Sequence, residues 1–275
     1  MQPANREITK AINQFNILNT IRKSGLISRV EIAEITGQSR AAVTKFTALL
    51  ISEGMILEKQ TEPSGSRGRR RVMLALNPSA AYVVGVKLSA FQISFAVANM
   101  QDDVITSLII PVRIEKRTAD FVADLMEDGI RHCVTEAKLK LDMIAGIGIG
   151  IPGFIDSGKG VTYWSPLYRQ GNTLLRDLIQ GRLNIPTYIE NDANTVTLAE
   201  QWFGEGMGLD NFLVVTVEHG VGIGIVVNGQ IYRGERGIGA EFGHLVIQPG
   251  GALCRCGKKG CIEAYVADYK ILDAG

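Results

Sequence analysis

With 275 residues, 46% of them hydrophobic and 21% charged, the chain has the composition of a globular protein of two-domain size, and it contains no apolar run able to cross a bilayer. The N-terminal MQPANREITK lacks the apolar segment of a secretory signal, so a cytoplasmic location is expected. The net charge of +1 hides a division: residues 1–77 carry 12 Lys/Arg against 6 Asp/Glu, the remainder 17 against 22, which assigns a polyanion to the first segment and a small molecule to the second.

Along the chain, Ile8, Ile12, Phe15, Ile17, Leu18 and Ile21 recur at helical spacing until Ser24-Gly25. Ser28 followed by Glu31 has the form of a capping box and starts a second helix. Ala33 is small where helices cross, Gly37 suits a tight turn, and Val43 and Phe46 are apolar where a third helix packs back. These offsets predict a helix-turn-helix, with a plain three-helix bundle as the bland alternative. Ser39 caps the third helix, and Ser39, Arg40, Thr44 and Lys45 are its candidate major-groove residues. Arginine suits guanine because its planar fork matches two acceptors.

MILEKQ and RVMLALN read as two strands joined by TEPSGSRGRR, a wing. Arg67, Arg69, Arg70 and Arg71 sit in a Gly/Ser-rich stretch that cannot pack a core. They are placed either to clamp phosphates or enter a minor groove, or to form a solvated interdomain linker. The domain boundary is expected at 77/78.

From Tyr82, YVVGVKLSAFQISFAVAN reads as a hairpin, and a helix follows from about Ala119 to Leu139, with Cys133 in its core. MIAGIGIGIPGFID is a strand entering a Gly/Pro turn, NIPTYIENDANTVTLAEQWFGEG a strand, polar turn and helix, and FLVVTVEHGVGIGIVVNGQIYRG two further strands. This is α/β organisation, with ligand-competent loops at strand ends. Four cysteines make a meagre disulfide framework for this length, and three of them crowd into residues 254–261. Cys254, Cys256 and Cys261 with His244 upstream form the three-thiolate, one-imidazole set that tetrahedral zinc takes, leaving no open position, so the expected metal is structural Zn²⁺.

The helix-turn-helix followed by GIPGFID, ENDAN, GAEFGH and CRCGKKGCIEAY resembles the repressor, open-reading-frame and kinase (ROK) family, and specifically its transcriptional repressors. The resemblance implies a winged helix-turn-helix followed by an actin-like, hexokinase-like ATPase fold in a sugar-responsive repressor, usually dimeric or tetrameric. It implies a sugar site at Asn191, Asp192, Glu241, His244 and Glu263, and a zinc loop presenting His244 and Glu263. Asp192 matches the base of the family's kinases. Taken alone, an Asn-Asp pair after a strand serves equally as a sugar-binding pair or as a turn or helix cap. Members of the family also continue through further helices after the zinc loop, so the second lobe is expected to be incomplete at Gly275.

Against catalysis stand the phosphate turns. Where the kinases of the family place an acidic residue and a Gly-Gly-Thr turn, this chain has Lys87, Ser89, Ala90 and Phe91. In the second turn, Glu218 and His219 replace Gly-Thr. Side chains then occupy the space of a phosphate and a Mg²⁺-placing carboxylate is gone, so ATP is not expected to bind. The expected partners are a palindromic double-stranded operator, a monosaccharide and a second copy of the chain; the alternative is a sugar kinase with a DNA-binding appendage.

Overall fold

The computed structural model of the chain describes residues 3–60, 72–113, 117–168 and 171–273. The chain divides into two compact units, Met1–Val83 with Val97–Thr106 and Met143–Ala145, and Val84–Ala96 with Ser107–Asp142 and Gly146–Gly275.

In the first unit, α1 (Pro3–Ser24), β1 (Ile27–Ser28), α2 (Arg29–Thr36), α3 (Arg40–Ser52), β2 (Ile56–Gln60) and β3 (Val72–Leu76) follow in order. The strands form an antiparallel sheet in the order β1-β3-β2. Ser28 and Glu31 make a reciprocal capping box, and Gly37 ends α2 in the left-handed region at φ 66°. Ile17, Ile21, Ile27, Ile32, Val43, Leu50, Ile56 and Leu74 form the core, with Phe46 packed against its margin. Of the apolar series on α1, Ile17 and Ile21 are buried, whereas Ile8, Ile12 and Phe15 are exposed. The helical repeat therefore runs past the segment that the core covers.

The second unit is built on a five-stranded sheet, order β10-β7-β4-β5-β6, from β4 (Tyr82–Leu88), β5 (Gln92–Asn99), β6 (Val104–Pro111), β7 (Ile144–Ile151) and β10 (Thr187–Asn191). Between its strands lie α4 (Ala119–Glu136), the hairpin β8 (Phe154–Asp156) and β9 (Val161–Trp164), and α5 (Leu175–Leu183). Thr118 caps α4, which ends before Leu139 because Lys138 turns to φ 59°. Cys133 is fully buried on its inner face. β10 runs parallel to β7 with Asn191 opposite Ile151, so the Gly/Pro turn and the ENDAN segment emerge from the same sheet end.

No separate turn follows β10, contrary to the sequence expectation: Asn191 caps α6 (Asp192–Phe203), and Asp192 is its first residue. A second sheet, order β11-β12-β13, comes from β11 (Phe212–Val217), β12 (Val221–Val227) and β13 (Gln230–Ile231). A Cβ on Gly224 would lie 1.8 Å from Thr197 Oγ1, so glycine there lets α6 lie flush on β12. The described chain ends in α7 (Glu263–Val266) and α8 (Asp268–Asp273). Among the described residues, no helix is long and apolar enough to cross a membrane.

Candidate DNA-binding surface, sugar site and metal centre

In the first unit Ser39 stands at the N-cap of α3, its hydroxyl accepting the Ala42 N–H at 3.2 Å. Arg40, Thr44 and Lys45 are exposed on the first turns of the same helix, and the Thr44 hydroxyl donates to the Arg40 carbonyl at 2.8 Å. The four therefore share the N-terminal end that a recognition helix presents to base edges. Arg29, which carries no signal in the sequence pattern, donates to Thr47 on α3 at 3.0 Å and to Glu58 on β2 at 2.6 Å, tying α2 to both elements. Arg67, Arg69, Arg70 and Arg71 lie outside the described residues.

In the second unit Asp192 begins α6, its carboxylate accepting the Ala193 N–H at 3.0 Å. Burial pushes its pKa up, opposed by that N–H and the Lys87 charge and reinforced by Glu218. Glu241 is exposed as a residue, yet partial desolvation raises its carboxyl, with His244 opposing and the charges of Asp192 and Glu263 adding. Glu263, only 8% exposed at the start of α7, accepts the Val221 N–H at 3.3 Å. Glu241 thus lies within electrostatic reach of Asp192, His244 and Glu263. Asp192 and Glu241, raised chiefly by desolvation, are acceptors short of donors, the requirement a polyhydroxylated ligand would meet.

Asn191 stands apart from this set in its bonding. Its amide oxygen caps α6 by accepting the Asn194 N–H at 3.2 Å, and its NH₂ donates to the Gly153 carbonyl at 3.1 Å. The capping role left open by the sequence is therefore present, and the same amide pins the Gly/Pro turn beside Asp192. Glu190, the first residue of ENDAN, is a further member of this segment to which the sequence alone gives no role. One of its oxygens accepts from Asn191 N and Asn194 Nδ2, both at 3.0 Å, and the other from Arg233 Nε at 2.6 Å, bracing the ENDAN segment from behind.

The donor atoms of His244, Cys254, Cys256 and Cys261 all lie within 4.8 Å of one another. A tetrahedral zinc with Zn–S about 2.3 Å and Zn–N about 2.05 Å sets sulfur pairs about 3.8 Å apart and sulfur–nitrogen pairs about 3.5 Å apart. Cys256 and Cys261 sulfurs are 3.8 Å apart, and Cys254 Sγ lies 3.6 Å from His244 Nδ1, so the set fits the ion. Without a cation the thiols cannot all ionise: burial drives Cys254 up to about 12 and raises Cys261, while the Lys258 N–H and the neighbouring thiols outweigh burial at Cys256 and lower it. Gly260, at φ 83° and with no room for a Cβ against the Gln248 carbonyl, lets the loop close. The Cys254 thiol also reaches Glu263 Oε1 at 3.7 Å, linking the metal set to the carboxylate cluster.

The 87–91 and 218–222 turns meet through their own side chains. Lys87 Nζ contacts both carboxylate oxygens of Glu218, at 2.9 and 3.0 Å, and Phe91 meets the His219 ring edge-on at 5.0 Å.

Comparison with known proteins extends this geometry. The ROK family profile matches residues 83–274, and a winged helix-turn-helix DNA-binding profile matches residues 11–56. The chain is 32% identical to the xylose repressor of Bacillus subtilis (strain 168), over 99% of its own length and 70% of that protein's. It is 28% identical to the N-acetylglucosamine repressor of Shigella flexneri, over 98% of this chain and 66% of that one. Among solved structures, a ROK family transcriptional regulator described as a homolog of the E. coli MLC protein superposes with a TM-score of 0.80 at 29% identity, covering 97% of this chain and 67% of that chain. The ROK family glucokinase of Streptomyces griseus, in complex with glucose and AMPPNP, matches at a TM-score of 0.63 and 26% identity, over 70% of this chain and 59% of that chain. The chain belongs to the ROK family, its ROK actin-like kinase fold preceded by a winged helix-turn-helix.

Proposed function

We propose that the chain is a sugar-responsive transcriptional repressor of carbohydrate-metabolism genes. Residues 1–77 bind a palindromic operator through Ser39, Arg40, Thr44 and Lys45, assisted by Arg67, Arg69, Arg70 and Arg71, and residues 78–275 bind a monosaccharide. The observation that carries the reading is the presence, on one chain, of a winged helix-turn-helix and a ROK domain whose Asp192, Glu241, His244 and Glu263 converge. In this reading Asp192, Glu241 and Glu263 accept sugar hydroxyls, Asn191 adds an amide, and His244 turns Nδ1 to the metal and Nε2 to the sugar. Zn²⁺ held by His244, Cys254, Cys256 and Cys261 is structural and supplies no reaction chemistry. The repressor acts in the cytoplasm as a dimer, with half-sites about one or two helical turns apart. A sugar releases it from DNA only by binding the two arrangements of the protein with different affinity.

Fluorescence anisotropy on upstream DNA at fixed salt, with a panel of monosaccharides, tests the reading. Specific binding weakened by one sugar is the expected result; binding indifferent to every sugar would remove the effector role.

A second reading, a sugar kinase with a DNA-binding appendage, draws on the likeness to a glucokinase fold. Against it stands the resemblance itself: Lys87 and Glu218, which pair with each other, match phosphate-turn positions of the family's kinases, and a carboxylate there would repel a nucleotide phosphate. Sub-millimolar, Mg²⁺-dependent ATP binding would reverse the preference for a non-enzyme.

A further inference from the structure

The 218–222 turn is held from two sides by the metal loop. On one side Val221 N donates to Glu263 Oε2 at 3.3 Å, and Glu263 follows Cys261 of the metal set by two residues. On the other side stands Arg255, the residue between Cys254 and Cys256. Its guanidinium lies 3.6 Å over the Tyr269 ring centroid and hydrogen-bonds His219 Nε2. His219 in turn packs between Tyr269, at 6.2 Å, and Phe91, at 5.0 Å. Next to it, Glu218 binds Lys87 through both carboxylate oxygens, and the Glu218 carbonyl accepts the Asp268 N–H at 3.0 Å. Residues from the 87–91 turn, the 218–222 turn, the metal loop and α8 therefore form one connected set of contacts.

We infer that Arg255 and Glu218 are positioning residues that latch the 218–222 turn to the metal loop and to the 87–91 turn, so that an ordered metal loop fixes where Glu263 stands. That zinc orders the loop and that Glu263 serves a sugar rest on the readings above; the latch contacts themselves do not. Arg255 carries the larger share. Its planar guanidinium stacks on a ring and donates in its own plane, a combination lysine cannot reproduce. The Lys87–Glu218 pair has both side chains about half exposed, and a solvated ion pair orients more than it stabilises.

The test is hydrogen–deuterium exchange on the full chain, zinc-loaded and chelator-stripped, with zinc counted by mass spectrometry. Arg255→Ala is expected to retain its zinc while the 218–222 amides exchange about 10-fold faster, approaching the rate of the stripped wild type. Arg255→Lys should not restore protection, and Glu218→Gln should give a smaller acceleration. Tyr269→Leu removes the stack from outside the metal loop, and should reproduce the Arg255→Ala effect even if that variant loses metal. Unchanged exchange in 218–222 in both variants, or zinc removal that speeds only 252–261, would overturn the latch. Calorimetry with D-xylose and with N-acetylglucosamine should then show any wild-type affinity reduced about 10-fold in Arg255→Ala. Faster exchange with no sugar bound by the wild type would leave the latch standing and remove the sugar reading instead.

Discussion

In the winged-helix unit the residues assigned to DNA, Ser39, Arg40, Thr44 and Lys45, lie on one helix and its cap, all exposed, and a local backbone device fixes their placement. In the second unit Asp192, Glu241, His244 and Glu263 come from three segments spread over 72 positions of the chain, Glu241 and His244 sharing one turn, and a parallel strand pair, a flush helix and a metal loop bring the segments together. The first surface should therefore tolerate substitution elsewhere in the molecule, while the second should fail whenever any one of its supports is removed.

Metal removal is the strongest way to break the comparison. Cys254→Ser is expected to reduce zinc from about one equivalent to none and to unfold the 252–261 loop, displacing His244 and Glu263 together. Zinc held by such sets in small peptides binds with an apparent free energy on the order of 10 kcal/mol, more than the ~2–5 kcal/mol of an ordinary core truncation, which ranks this effect first. Zinc content, the loop's exchange rates and operator binding without sugar should be measured on the same sample. If the first unit is autonomous, sugar sensitivity disappears while operator affinity changes less than about 3-fold.

Next in size is the guanidinium at the head of the recognition helix. Arg40→Ala should cost ~1–3 kcal/mol on the specific operator and much less on unrelated DNA at the same salt. Equal losses on both would make Arg40 a phosphate contact. Comparable in size, Asp192→Asn should weaken monosaccharide binding roughly 10- to 100-fold with operator binding intact. It also carries a pH signature. Burial raises the Asp192 pKa, so the carboxylate that accepts a sugar hydroxyl is present above that raised value and is lost as pH falls through it. Wild-type sugar affinity should therefore decline on acidification, starting at higher pH than for an ordinary aspartate, and Asp192→Asn should flatten the profile. For folding the sign is opposite: ionised and desolvated, Asp192 costs stability above its raised pKa, and the cost is relieved as pH falls below it.

The contrast also explains what was legible in the sequence. Ser28, Glu31, Gly37 and Ser39 act within four residues of themselves, so their caps and turn could be read directly, and they occur as expected. The metal set was legible because three ligands are close in sequence and thiols are sparse. Asn191 was half legible: its amide is engaged by the α6 cap and Gly153, a use that appears only once β10 is seen to run straight into the helix. Arg233, Arg255 and Tyr269 were not legible, because what each does depends on a partner at least 14 residues away, or on a ring face or guanidinium plane that spacing does not encode; the same holds for the half of Glu190 that binds Arg233. The β8–β9 hairpin and α5 were missed because short elements with mixed composition carry little periodicity.

The smallest expected effect sharpens the comparison at its cleanest point. Ser39 has two assignments: its hydroxyl caps α3 through Ala42 N, and its exposed position at the head of the recognition helix places it toward DNA. Ser39→Ala removes both roles and should lower stability by about 1 kcal/mol, read as a shift in the denaturation midpoint without a change in slope. Ser39→Asp separates them. Aspartate caps as well as serine and its charge favours the positive helix end, so stability should stay at or slightly above wild type. The same charge would face the phosphate backbone, so operator affinity should fall, and its deficit relative to wild type should narrow at higher salt, where the repulsion is screened and both proteins bind more weakly. Stability kept with DNA binding lost would put Ser39 at the interface. Stability and DNA binding both kept would make it a cap alone, with recognition by this helix beginning at Arg40.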